Sequence, residues 1–216
     1  MTSTNLLVNL SQFSAFVPVI AGMVYFTKLD NGFKALAVFV CIALVTEYFA
    51  NWYAQHINGN NLPPLHIFSL IEYGFLSWVF CTRITVKYKW WVWFVLFIIA
   101  MGFAWYNAFI KGGWHRMNDF ARTYDSIVLT IFSLVFFLRM LRVDMIIPMH
   151  TNALFWYTCA VFIYFSINLF FFLFFNQIAD KPDGIKTLGL GIHAMVNIFA
   201  NLLYAQSFRC FRNKPI

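Results

Sequence analysis

Residues 152–175 read NALFWYTCAVFIYFSINLFFFLFF, a run without a single Lys, Arg, Asp, Glu or His. Wound as an α-helix it is about 36 Å long, more than the roughly 30 Å of a bilayer's hydrocarbon core. It shows neither a polar face nor the period-two alternation of a half-buried strand, so it reads as a membrane span. Six similar runs lie around it, and the spans are expected at residues 6–26, 34–54, 65–81, 90–110, 124–140, 152–175 and 188–208. The fold class is therefore all-α: a polytopic membrane protein, a single seven-helix transmembrane domain covering 1–216. The continuous runs exclude a transmembrane β-barrel.

Composition agrees with that reading. Of the 216 residues 62% are hydrophobic, 21% aromatic and only 11% charged, with a mean hydropathy of +0.71. A soluble domain cannot hide that much apolar surface. Trp52, Tyr53, Trp90, Trp91, Trp93 and Trp114 are placed to anchor the chain at headgroup level. The net charge of +7 lies mostly between apolar runs, where it orients a membrane protein, so the lipid bilayer is the expected partner and nucleic acid is not.

Alternate connections differ in basic charge. One side holds Lys28, Lys34, Arg83, Lys87, Lys89, Arg139, Arg142, Arg209, Arg212 and Lys214; the other holds only Lys111, Arg116, Arg122, Lys181 and Lys186. The positive-inside rule makes the first side cytoplasmic. With seven spans the N-terminus is then outside and the C-terminus in the cytoplasm. The expected location is the cell membrane, as a multi-pass protein (the inner membrane in a Gram-negative cell). Residues 1–5 carry no positive charge and no small-residue cleavage site follows the first run, so that run reads as a retained helix. Cys41, Cys81, Cys159 and Cys210 fall on the inner side, and no disulfide is expected. Pro18 should kink the first span. Residues 56–64, with Pro63-Pro64, and residues 179–184 read as tight outer connections.

Ionisable side chains inside a span cost about 2.5 to 3.5 kcal/mol on insertion scales, so each needs a reason. Glu47, Glu72, Asp125, His66 and His193 are such residues. Asn51 lies one helical turn from Glu47 on the same face, Tyr124 precedes Asp125, Asn168 sits in the outer part of the sixth span, and Asn197 follows His193 by one turn. In the expected topology most of these share the outer half of the bundle. They predict a polar pocket that opens outward and is closed toward the cytoplasm by Phe-rich packing, with Glu47, Asn51, His66, Glu72, Tyr124, Asp125, Asn168, His193 and Asn197 as ligand-binding candidates. Asn201 and Asn168 also suit plain interhelical hydrogen bonding, and Asp125 suits a pair with Arg122.

A divalent metal would find candidate ligands in Glu47, His66, Asp125 and His193, although no HxxxH, HxxE or CxxC spacing is present. The last span carries His193-x-x-x-Asn197. In span count and in this histidine the chain resembles, in part, the seven-helix membrane hydrolases that include alkaline ceramidases and adiponectin receptors; it departs from them at Asn197, where those proteins have a second histidine. The final span has no central lysine, which excludes lysine-linked retinal, and no cofactor is assigned.

Three functions remain open on the sequence. The first is a receptor-like protein that binds a small polar or cationic ligand from outside and signals through a cytoplasmic or membrane protein partner, since the short loops hold no output domain. The second is an intramembrane lipid hydrolase with Glu47 or Glu72 as general base, His193 or His66 as acid, base or metal ligand, and a water as nucleophile. A transporter or an accessory subunit of a membrane complex is a third.

Overall fold

A computed structural model describes residues 3–83, 89–111, 113–142, 148–179 and 183–211. Lys87, Lys181, Arg212 and Lys214 lie outside the described residues, as do the side chains of Arg142 and Lys186. The elements among the described residues are all helical. The first span is built from α1 (Ser3–Ser14) and α2 (Phe16–Tyr25), and one further helix follows for each remaining span: α3 (Asn31–Tyr53), α4 (Leu62–Arg83), α5 (Lys89–Tyr106), α6 (Asp119–Arg142), α7 (Ala153–Ala179) and α8 (Asp183–Phe211). Among the described residues seven segments are long and apolar enough to cross a membrane: Leu6–Lys28, Asn31–Ile57, Leu62–Arg83, Lys89–Lys111, Asp119–Leu141, Ala153–Gln177 and Thr187–Phe211. The chain is a membrane-spanning protein whose elements, among the described residues, are all helices.

Local chemistry explains where these helices start and break. Asp30 accepts from the Phe33 backbone N–H at 3.1 Å and so caps α3. Pro63 and Pro64, expected in a connection, stand in the first turn of α4, where a missing N–H costs nothing. The fifth span begins at Asp119 rather than Tyr124, because an acid at a helix start satisfies free amides and the dipole; its carboxylate takes the Phe120 N–H. Both α3 and α5 run on through a π-helical turn, Ala54–Asn58 and Asn107–Lys111. The first of these stops at Gly59, whose φ of 63° favours glycine. The first span breaks at Ala15, between α1 and α2. Pro18 has no N–H for the Ser14 carbonyl and its ring crowds that oxygen, which is the expected kink.

The spans close into a ring in chain order. Each helix from α3 to α8 packs on the next; α8 returns to α1 and α2, and α2 packs on α3. Helix α4 also touches α6, so α5 lies outside the ring, docked against the α4 and α6 side. Gly74 makes this docking close, since a Cβ there would sit 3.2 Å from the Phe97 ring. Trp93 Nε1 donates to Ser77 Oγ (2.8 Å) and the Tyr124 hydroxyl to the Leu96 carbonyl (3.0 Å). Much of the remaining α5 surface, including Trp91, Phe94 and Trp105, is exposed apolar area suited to lipid.

The two ends of the bundle differ. At the Asp30 end, Arg83 pairs with Asp30 and lies over the Phe33 ring. Phe33 is in turn packed against Tyr157, Phe208 and Phe211, and Tyr157 against Phe80. Phe33, Phe80, Tyr157 and Phe208 have no exposure beyond 0%, and the Tyr157 hydroxyl donates to the Leu76 carbonyl at 2.6 Å. This aromatic layer fills the ring. At the Gly59 end the ring is not filled.

Candidate functional site

A cavity of about 400 Å³ occupies the interior between the aromatic layer and the Gly59 end, which is within the size range of small-molecule sites. The first span and α3, α4, α6, α7 and α8 all contribute to it, and α5 does not. Of the nine residues expected in a pocket, Glu47, Asn51, Glu72, His193 and Asn197 line it. Arg122, Tyr164 and Tyr204 line it too. A separate depression at Ile99, Gly102, Phe103, Tyr106 and Phe120, on the α5 and α6 exterior, has no acidic, basic or histidine side chain.

Glu72 and Arg122 form a buried ion pair between α4 and α6. The Arg122 guanidinium also lies 4.8 Å from the centre of the Phe172 ring, a cation–π arrangement that favours keeping the charge inside. Tyr164 of α7 lines the same cavity as this pair and Glu47, so polar side chains of α3, α4, α6 and α7 face one space. Glu47 is half-buried; among the described residues it has no ion pair and no hydrogen-bond partner. The cavity thus holds one carboxylate already neutralised and one that is not.

Helix α8 supplies a column of polar groups. His193 Nδ1–H donates to Asn168 Oδ1 at 3.0 Å, which fixes the ring and leaves Nε2 as its other polar atom. Phe171 stacks on the imidazole at 5.1 Å, and Tyr164 and Phe172 enclose it. Asn168 therefore acts from behind His193 and does not line the cavity. Asn197 Nδ2 donates to Ser11 Oγ and Asn201 Nδ2 to Ser14 Oγ, both at 2.9 Å. These two bonds tie α8 to α1, at spacings of four on one helix and three on the other.

Three further candidates stand outside the cavity lining. His66 Nε2–H donates to the Arg116 carbonyl at 2.7 Å and its ring packs on Trp114 at 5.4 Å. It holds the 113–118 segment, which crosses the open end of the ring. The same segment is bonded to α7, where Asn176 exchanges two 3.1 Å hydrogen bonds with the Met117 backbone, and to Asn60, which donates to the His115 carbonyl. Met117 itself lines the cavity. Tyr124 packs toward α5 against Phe103 and Tyr73. Asp125 is 1% exposed, and neither of its oxygens has a hydrogen-bond partner among the described residues.

Of the four metal-ligand candidates, Glu47 and His193 line the cavity, while His66 and Asp125 do not. Among the described residues no group of three or more His, Cys, Asp or Glu side chains converges as a metal centre. Arg122, Tyr164 and Tyr204 are among the lining residues not anticipated. Asp119 at the helix start was the signal that would have moved Arg122 one turn into the membrane; Tyr164 and Tyr204 carry none, being tyrosines in aromatic-rich spans. Comparison with protein-family models, with curated proteins and with solved structures gives no match.

Proposed function

We propose that this chain is a receptor-like membrane protein whose interior cavity binds a small cationic ligand, with Glu47 as the counter-charge. The observation that carries the reading is the charge arrangement: Glu72 is neutralised by Arg122, whereas Glu47 lines the same cavity with no ion pair among the described residues. A carboxylate at membrane depth is costly unless protonated, hydrated or matched by a cation. A bound ammonium group would supply that match, and the rings around it, Tyr164 and Phe172 among them, suit a cation as well.

The orientation belongs to this reading. Lys28, Lys34, Arg83, Lys89, Arg139 and Arg209 lie on the Asp30 end of the bundle, which we take as cytoplasmic, so that the cavity faces outward with the N-terminus. A signalling partner would dock on this basic face with an acidic surface of its own.

Purified protein in lipid nanodiscs tests the reading by thermal melting against a series of primary amines and the alcohols of equal chain length. An amine that raises the melting temperature where its alcohol does not, with the effect lost in Glu47→Gln, supports it. No amine-specific stabilisation, or equal stabilisation of Glu47→Gln, overturns it.

One observation favours a second reading, an intramembrane lipid hydrolase. His193 is oriented by Asn168 in a cavity that also holds Glu47, which is the arrangement of a positioned imidazole beside a carboxylate base. Turnover of lipid amides or esters that Glu47→Gln and His193→Ala both abolish would replace the receptor reading with this one.

A further inference from the structure

The first span meets the second mainly through α2. Helix α1 packs on α8 and on α2, and it is α2, not α1, that packs on α3. At the start of α2 the Phe16 ring meets Tyr48 of α3, their centres 6.0 Å apart. Beyond it, toward the Gly59 end, α1 follows α8 through the Ser11–Asn197 and Ser14–Asn201 bonds. The cavity reaches the space that this leaves: Val8 and Gln12 line it from α1, and Glu47 and Asn51 line it from α3. All four are half-buried, as residues at a rim are. Phe13 and Phe49 on the flanks are exposed.

From this we infer a lateral doorway between α1 and α3 through which the ligand comes from the bilayer, and a ligand that is an amphipathic primary amine of long hydrocarbon chain. The inference rests on the cationic-ligand reading given above and adds the route and the chain. Three features carry it. The doorway opens on the sides of two membrane spans, so what reaches it is dissolved in lipid. The cavity beyond is amphipathic: Glu47 offers a charge near the rim, while Phe39, Phe68 and Phe175 line apolar parts of the wall. The end of the ring, by contrast, is crossed by the 113–118 segment with four cross-bonds to α4, α7 and residue 60, which obstructs access from water.

Dodecylamine and propylamine carry the same ammonium group and differ in chain length, so the pair isolates the inference. Dodecylamine is expected to bind the nanodisc-embedded protein at least about tenfold more tightly than propylamine, and Glu47→Gln to lose dodecylamine binding. Val8→Trp and Gln12→Trp, each of which fills the doorway from one half-buried position, are expected to slow dodecylamine association from vesicles about tenfold; using two variants keeps the test valid where one misfolds. Equal affinity for the two amines, or unchanged association in folded doorway variants, overturns the lateral route and the long chain while leaving the cation site standing. If neither amine binds, or both bind Glu47→Gln as well as the wild-type protein, the cationic-ligand reading falls with it.

Discussion

Arg122 forms its ion pair with Glu72, fifty residues away on α4, and not with Asp125, which lies one turn along its own helix. The pair fastens α6 to its ring neighbour α4 at the wall of the cavity. Removing one partner leaves the other charge buried alone, at a cost of about 3 to 5 kcal/mol. Glu72→Leu and Arg122→Met are each expected to lower the melting temperature strongly, and the double variant to recover much of the loss because apolar side chains replace the pair together. Melting of the four proteins in one lipid checks it, and additive losses would show that the two side chains do not act as a pair.

Asp125 should behave in the opposite way. Its oxygens accept no hydrogen bond among the described residues, and Arg122 is already neutralised by Glu72. Asp125→Asn therefore replaces a buried carboxyl group that no hydrogen bond holds, and is expected to leave the melting temperature unchanged or to raise it. A loss comparable to that of Glu72→Leu would mean that Asp125 shares the guanidinium after all.

Much of the fold could be read from the chain because a span announces itself in composition. A helix that must satisfy its backbone inside lipid needs a long apolar run, and each of the seven runs became one. Pro18 marked the kink for an equally local reason. The site was legible only in part. Glu47, Asn51, Glu72, His193 and Asn197 could be found because polar groups in a span stand out, and depth brought them together. Depth says nothing of angular position, however. Tyr124 and Asp125 lie at a suitable level on α6 yet Tyr124 turns toward α5, since α5 sits outside the ring, a relationship set by the Gly74 and Phe97 contact and invisible in hydropathy. His66, on α4, binds the 113–118 segment, the lid across the open end of the ring, rather than lining the cavity for the same kind of reason: its partner is a backbone carbonyl of that segment.

The Ser11–Asn197 and Ser14–Asn201 bonds set the position of α1. Interhelical hydrogen bonds in membranes average about 0.6 kcal/mol. Ser11→Ala and Asn197→Ala should each cost about that much, and their double variant no more than the larger single loss, because both remove one bond. Unfolding measured in detergent or bicelles gives the coupling. A coupling near zero would place α1 under the control of the Pro18 kink alone.

The lid has a comparable fastening in Asn176, which both accepts from and donates to the Met117 backbone. Two hydrogen bonds of about 1 kcal/mol each hold the segment there. Asn176→Ala is expected to accelerate hydrogen exchange at the Met117 amide by roughly tenfold or more, while amides within α3 and α8 exchange as before. Mass spectrometry of the peptide covering residues 113–118 reads this out. Exchange spreading into α8 would show that Asn176 supports the bundle and not the lid.

Orientation can be decided with an impermeant maleimide on intact cells. His115 and Lys28 are both exposed, at opposite ends of the bundle. In a background where Cys41, Cys81, Cys159 and Cys210 are serine, His115→Cys is expected to label from outside, and Lys28→Cys only after the membrane is opened. The expectation follows from six basic side chains on the Asp30 end, where Lys28, Lys34, Arg83, Lys89, Arg139 and Arg209 would otherwise have had to cross the bilayer during insertion. Arg83 and Asp30 neutralise each other, which still leaves five positive charges to retain that end in the cytoplasm. The reverse labelling pattern would turn the cavity toward the cell interior, and a ligand made inside the cell would then be the one to seek.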